Sequence, residues 1–320
     1  MTTYYVDPAA AGDDDGTSWT DAWPSLQTAA DTAVAGDIVY CRGTQTLAAA
    51  IDFDTKAGTA AGGYIKFIGC NSSGNNDGTR FVLDGNSAAT NCIVSGAIGW
   101  VWLENIECKN ATGDGVVLNG SSAAWVLLNV ISHDNGTSGC EANYPDDCIF
   151  LKCAFYDNGS DGLRELDNSA VVASSSHGNS GDGFDTLRAC SFEMCAIYGN
   201  TGSGVVDAGT NTFTQCVFHA NGTGISLGTV VGASCFVGCR ITGNTTGMSV
   251  NAAQRAKLLN CYFGGNTTDI SGTYDALRND GVDQNTLAGS DTDNGYVASA
   301  SDDFNLAPGA TGRSVAVELD

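Results

Sequence analysis

An all-β solenoid is the fold class that this sequence predicts, and three observations carry it. The first is a recurring phrase. Between Cys195 and Ser226 the pattern Cys-x-apolar-x-x-Asn, followed by a glycine and an apolar residue, is written twice, and it returns in both directions along the chain. Its asparagines are Asn110, Asn135, Asn158, Asn179, Asn200, Asn221, Asn244 and Asn266, in steps of 25, 23, 21, 21, 21, 23 and 22 residues. A period in the twenties, built of short apolar strands and Gly/Asn turns, marks a stack of coils. The second is alternation with period two inside each repeat, with no helical 3.6 spacing. The third is composition: 42 glycines and only 4 prolines among 320 residues suit tight turns between strands that must keep their ladder donors.

Aligning the repeats gives columns. Five residues before the asparagine stand Val130, Cys153, Ser174, Cys195, Cys216, Cys239 and Cys261. Three before it stand Ser132, Phe155, Ser176, Ile197, Phe218, Ile241 and Phe263. After the turn glycine come Val116, Cys140, Leu163, Phe184, Val205, Ile225 and Met248. All three columns are small or apolar, so they are expected to face inward. One coil cannot bury such faces alone; stacked coils share one core. The asparagine is expected at the bend, tolerating its backbone angles and bonding the same and neighbouring coils through its amide.

These asparagine and aliphatic columns resemble the ladders of the right-handed parallel β-helix proteins, the pectate-lyase-like superfamily. The resemblance implies a single-domain right-handed parallel β-helix. Residues 1–63 form an N-terminal cap and first strands, 64–272 the coils, and 273–320 a closing segment. The cap resembles that of many β-helix proteins: a strand from Thr2 to Val6, an acidic Gly loop ending at Trp19, a helix from about Pro24 to Ala33, and a strand after Gly36-Asp37. Such a cap covers an end that would otherwise expose core and strand edges. The loop from Asn71 to Thr79 is Gly/Asn-rich and is expected to project. After Gly272 the repeat stops; 275–293 is polar, suiting a short helix or a loop, and Asp302 to Gly309 resembles the segment that closes many such chains. The coil connections are short, which points to a smooth rod or a shallow site rather than a walled cleft.

The formal charge of −23 argues against nucleic acid, and against acidic glycans unless a cation bridges them. No run of 18 apolar residues spans a membrane. The N-terminus lacks the basic and apolar regions of a signal peptide, so the expected location is a virion, or the extracellular space after cytosolic synthesis. Thirteen cysteines are then expected as reduced thiols. Most lie on inward columns, and a second set, Cys148, Cys190 and Cys235, lies on the preceding strand. Zinc is disfavoured, because the cysteine spacings belong to the repeat and lack paired histidines. No cofactor is required, calcium being the one candidate: Asp13, Asp14 and Asp15 supply carboxylates in a flexible loop, against the plainer reading of a solvated turn.

Two outward columns remain. His133, Tyr156, His177, Tyr198 and His219 form one file that holds every histidine of the chain. It is a surface for stacking sugar rings or a partner chain, or simply residues that suit exposed strands. Glu141, Arg164 and Asp185 form an acid–base–acid ladder, able to serve uronate elimination or to stand as a cross-strand ion-pair ladder. The stretch from Asn179 to Leu187 resembles a segment of one pectate-lyase family whose lysine is the base; Leu187 takes the lysine's place, and Arg188 should face the other way.

The expected function is therefore a virion-type structural or surface protein (phage spike, fibre or decoration), able to bind a cell-surface glycan or other virion proteins. A homotrimer is implied only by resemblance to tailspikes. The alternative is an extracellular lyase of an acidic polysaccharide, calcium-dependent and acting through Glu141, Arg164 and Asp185.

Overall fold

The computed structural model describes residues 1–120, 123–228, 233–250 and 255–272, with the strand segments 296–298 and 304–306. Three parallel sheets of eleven, ten and ten strands run the length of the coils. The chain visits the first, second and third sheet in turn and then rises by one rung. One rung is Ser191–Glu193, Ala196–Tyr198 and Ser203–Asp207. The next is Thr212–Thr214, Val217–His219 and Thr223–Leu227. Phe192 pairs with Phe213, Ile197 with Phe218 and Val205 with Ile225, so like positions stack on like.

All three inward columns expected from the sequence are buried. The first sheet adds a fourth, in which Phe192, Phe213 and Phe236 stack with centroids 4.6 and 4.8 Å apart. The first complete rung uses Ile38–Arg42, Thr44–Thr46 and Ile51–Phe53, ahead of residue 64.

The bend between the first and second sheets is made by a single left-handed residue, at Lys152, Ala173, Met194 and Gln215 in successive rungs. The next residue is the small buried one, Cys153, Ser174, Cys195 and Cys216. The Cys195 thiol lies 3.3 Å from the Val171 carbonyl and 3.5 Å from that of Glu193. Ser174 does the same work by donating to the Val172 carbonyl at 2.9 Å. Cysteine recurs here because it is small, apolar and still a weak donor to bend carbonyls. All thirteen cysteines are free.

The bend between the second and third sheets carries the asparagine ladder. Asn158 donates its backbone N–H and its Nδ2 to Asn179 Oδ1, at 3.1 and 3.0 Å. Asn179 repeats this with Asn200, and Asn200 with Asn221. Two expectations are corrected. The left-handed residue is not the ladder asparagine but the one before it: Asp134, Asp157 and Ala220, or Gly178, Gly199, Gly243 and Gly265. Asn110 is such a bend residue, with φ of 55°, and lies outside the ladder. Lys109 pairs with His133, which puts Ala111 in line with Asn135, and Ala111 donates its N–H to Asn135 Oδ1.

Cys235 lies on the first-sheet strand Ala233–Val237, but in a different column from Cys148 and Cys190. Cys148 donates its N–H to Ser169, Cys190 to Asn211, and Asn211 to Ser234, which defines one column. Cys235 is one residue out of it, paired with Thr212 on the outward face and only partly buried.

At the N-terminal end the helix is Leu26–Thr32, capped by Ser25, whose hydroxyl accepts from Gln27 N–H. Pro24 therefore precedes the cap instead of opening the first turn, because serine satisfies an orphan N–H that proline cannot reach. Leu26, Ala29 and Ala30 are buried against the first rung. The loop 71–79 does not project freely. Gly74 sits so close to the Trp19 indole that a Cβ there would clash. Arg42 lies 4.3 Å from the Trp19 ring centroid and donates to the Ser72 carbonyl. At the other end Tyr296–Ala298 pairs antiparallel with Phe304–Leu306. The remainder of the expected closing segment, with the helix or loop at 275–293, lies outside the described residues.

Two stability outcomes follow. Asn200→Ala removes a buried amide and orphans its neighbours, which should cost about 1–3 kcal/mol for each donor or acceptor stranded. The half-buried end of the ladder, Asn266→Ala, should cost less in the same urea titration. Met194→Gly, at an exposed left-handed position (φ 53°), should raise stability by about 1 kcal/mol.

Candidate functional site

The in-register pairing brings each outward file together. His133 stacks on Tyr156 at 4.7 Å and 9°, Tyr156 on His177 at 4.9 Å and 3°, and His177 on Tyr198 at 4.6 Å and 14°. His219 follows in register with Tyr198. Both faces of Tyr156 and His177 are thus occupied by their neighbours, so a sugar ring meets the file at its edges and ends rather than on a row of open faces. His133 is fixed by Asp134 at 2.7 Å and by Glu107 at 3.4 Å. Burial lowers the His177 pKa, with Asp157 opposing.

In the other file Arg164 Nη2 and Glu141 Oε2 form an ion pair at 2.7 Å. Asp185 is the register partner of Arg164, yet no ion pair joins them among the described residues. The sequence did not point to Asp114, a carboxylate neighbour of Glu141. Burial raises the Glu141 pKa, helped by Asp114 and opposed by Arg164. Burial also raises Asp185, helped by the charges of Asp161 and Asp182. The Asp-Gly turns have a structural use: Asp161 Oδ1 accepts the Asp182 N–H and Asp114 Oδ1 that of Ser138, both at 2.8 Å. Leu187 is buried in the wall and Arg188 faces out, as the alternation requires.

The acidic loop draws no cation cage together. Asp13, Asp14 and Asp15 are exposed, and Asp15 Oδ1 accepts both the backbone N–H and the hydroxyl of Thr17. Among the described residues no group of three or more His, Cys, Asp or Glu side chains is placed to hold a metal ion.

An open groove of about 490 Å³ lies elsewhere, where the third sheet turns into the first. It crosses four rungs. The corner supplies Asp147, Asn168, Ala189 and Thr210, and the first sheet supplies Ile149, Ala170, Ser191 and Thr212. Asp147, Asn168 and Ala189 are left-handed bend residues, which keeps the corner short and the groove shallow. Asn168 Nδ2 donates to Asp147 Oδ1 at 3.2 Å. Arg188 stands beside the groove with its guanidinium 4.6 Å from the Tyr144 ring centroid. The short connections foreshadowed a shallow site. Its lining was not singled out, because Ser, Thr and Asn on an outward column read as ordinary solvated strand.

A family model described as the right handed beta helix region matches residues 184–302. This fixes the hand. The chain has the right-handed parallel β-helix fold. No curated protein matches the β-helix in sequence. Among solved structures it is similar to the pectate lyase Pel9A, with 17% identity, a TM-score of 0.56, and coverage of 87% of this chain and 78% of that one. It is similar to the A-module of the mannuronan C-5 epimerase AlgE4 of Azotobacter vinelandii, at 18% identity and TM-score 0.55, covering 87% of this chain and 100% of that one. It is also similar to ORF18 of Geobacillus virus E2, at 15% identity and TM-score 0.52, covering 85% of this chain and 62% of that one. At these identities the likeness is one of fold. No helix among the described residues is long and apolar enough to cross a membrane.

The raised carboxyls set a pH dependence. Glu141, Asp182, Asp185 and Asp207 all titrate above their ordinary values, burial being the first cause in each. They hold protons in the fold at a pH where the unfolded chain has lost them. Their contribution is complete below the ordinary values of 4.5 for Glu and 3.8 for Asp and falls away as pH rises through the folded values. The melting temperature should therefore rise as pH is lowered from neutrality through the folded values of these groups. Asp185→Asn with Asp182→Asn should flatten that slope; an unchanged slope would show that these groups do not set it.

Proposed function

We propose that this β-helix is a glycan-binding surface protein of the virion type, and that the groove at the third-to-first sheet corner is its binding site. The observation that carries the reading is the groove itself. Its volume of about 490 Å³ falls within the usual range for ligand sites, roughly 300–1,000 Å³. Hydroxyl and amide side chains recur along it from rung to rung, and such groups donate to and accept from sugar hydroxyls alike. The free-thiol core supports assembly in a reducing compartment, as for a particle component made inside a cell and used outside it. The likeness to a viral β-helix agrees with this reading.

The geometry favours binding over elimination. Arg164 is paired with Glu141, whose pKa is raised by burial and by the neighbouring Asp114 carboxylate. That cluster lies on the third sheet, outside the groove.

Affinity electrophoresis against a panel of polysaccharides tests the proposal. Retardation is expected for at least one glycan, with no new ultraviolet absorbance from an unsaturated uronate. Ser191→Trp, an exposed position inside the groove, should weaken retention by about tenfold or more while Glu141→Gln leaves it intact. Unsaturated product, abolished by Arg164→Ala, would replace this reading with a lyase.

A further inference from the structure

Resting on that binding reading, we infer that the groove takes a neutral polysaccharide, laid along the helix axis with about one sugar for each rung. The lining holds one charged side chain, Asp147, and otherwise Asn168, Ser169, Ser191, Thr210 and Thr212 among small apolar residues and two buried thiols. Acidic residues flank the lining in sequence, at Asp146, Glu165 and Asp167, and Arg188 stands next to Ala189. Arg188 is turned onto the Tyr144 ring, and Arg164 is already closed onto Glu141. A polyanion would enter a negative field on a chain of formal charge −23.

In the lining itself a polycation finds a single carboxylate, Asp147, whose Oδ1 accepts from Asn168 Nδ2; the other three rungs of the lining carry no charge. Beyond Asp147, each rung offers a two-way hydrogen-bonding group (Asn168, Ser191, or Thr210 and Thr212), with Ile149, Ala170 and Ala189 as apolar surface. Ile149, 41% exposed, and Ala170 supply that surface at one end, where the C–H face of a pyranose can lie. Thr210 and Thr212 supply hydroxyls at the other. Parallel strands stack ~4.8 Å apart, comparable to one pyranose in an extended chain. Four rungs therefore span about 14 Å, room for about three sugars.

The experiment compares neutral glycans (dextran, mannan, xylan, β-glucan), acidic ones (pectate, alginate) and an amino glycan (chitosan) at low and high salt, using the whole chain. Retention of a neutral glycan that is insensitive to salt is expected. Arg188→Ala should change it by less than about threefold, and Ser191→Trp should lower it by about tenfold. Salt-sensitive retention of acidic glycans, lost in Arg188→Ala, would overturn the neutral assignment and leave glycan binding standing. Salt-sensitive retention of chitosan alone would overturn it too. No retention of any class would remove the binding reading itself.

Discussion

Every ladder asparagine from Asn135 to Asn244 buries a primary amide and spends it on the next rung. That commitment fixes the register of the whole stack. Slipping a rung by one residue would strand amide donors and acceptors in the wall, at about 1–3 kcal/mol each. It would also turn the apolar columns outward, because side chains alternate with period two. The thiols and hydroxyls at the bend between the first and second sheets add a second set of fixed points. Register is thus held at two corners by hydrogen bonds, and between them by packed columns such as Phe192, Phe213 and Phe236.

Strict register has a consequence outside. Residues of one outward column are forced into contact with their own kind, so they satisfy each other before any ligand arrives. Rings at strand spacing stack, which is why His133, Tyr156, His177 and Tyr198 close their faces to sugars. Opposite charges pair, as Glu141 and Arg164 do. A neighbouring carboxylate favours protonation, as Asp114 does for Glu141. A surface left for binding is found where columns are mixed and the strand turns. The corner from Asp147 to Thr212 meets both conditions, since no two successive lining residues in either column are able to saturate one another in the way rings or ion pairs do, apart from Asp147 with Asn168.

The same reasoning explains what could be read from the sequence. The inward columns were legible because burial demands one kind of side chain at every rung, and that demand repeats. Asn110 was misplaced because asparagine serves two uses in this fold, left-handed bend and ladder, one residue apart. Only the pairing of Lys109 with His133 separates them. Cys235 escaped for a similar reason: its outward place is settled by register with Thr212, which the spacing of cysteines does not reveal. Asp114 and Glu141 are 27 residues apart in the chain, and an Asp-Gly turn gives no sign of its neighbour across the rung. The groove was the hardest to see, since serine and threonine in an exposed strand carry no pattern of their own.

Several interior thiols are held protonated. Burial pushes the Cys153 and Cys190 thiols up to about 12, far from the thiolate that nucleophilic attack or metal binding needs. Each also lies against backbone carbonyls, as Cys190 does with that of Arg188 at 2.9 Å. Cysteine here is a bend residue, chosen for size and for a weak donor, and serine replaces it at positions 169 and 174 without changing the bonding pattern. Specificity is then a matter for the outward columns, and among the described residues we place it at the corner groove, whose lining is less engaged with itself than the ring file or the Glu141–Arg164 pair.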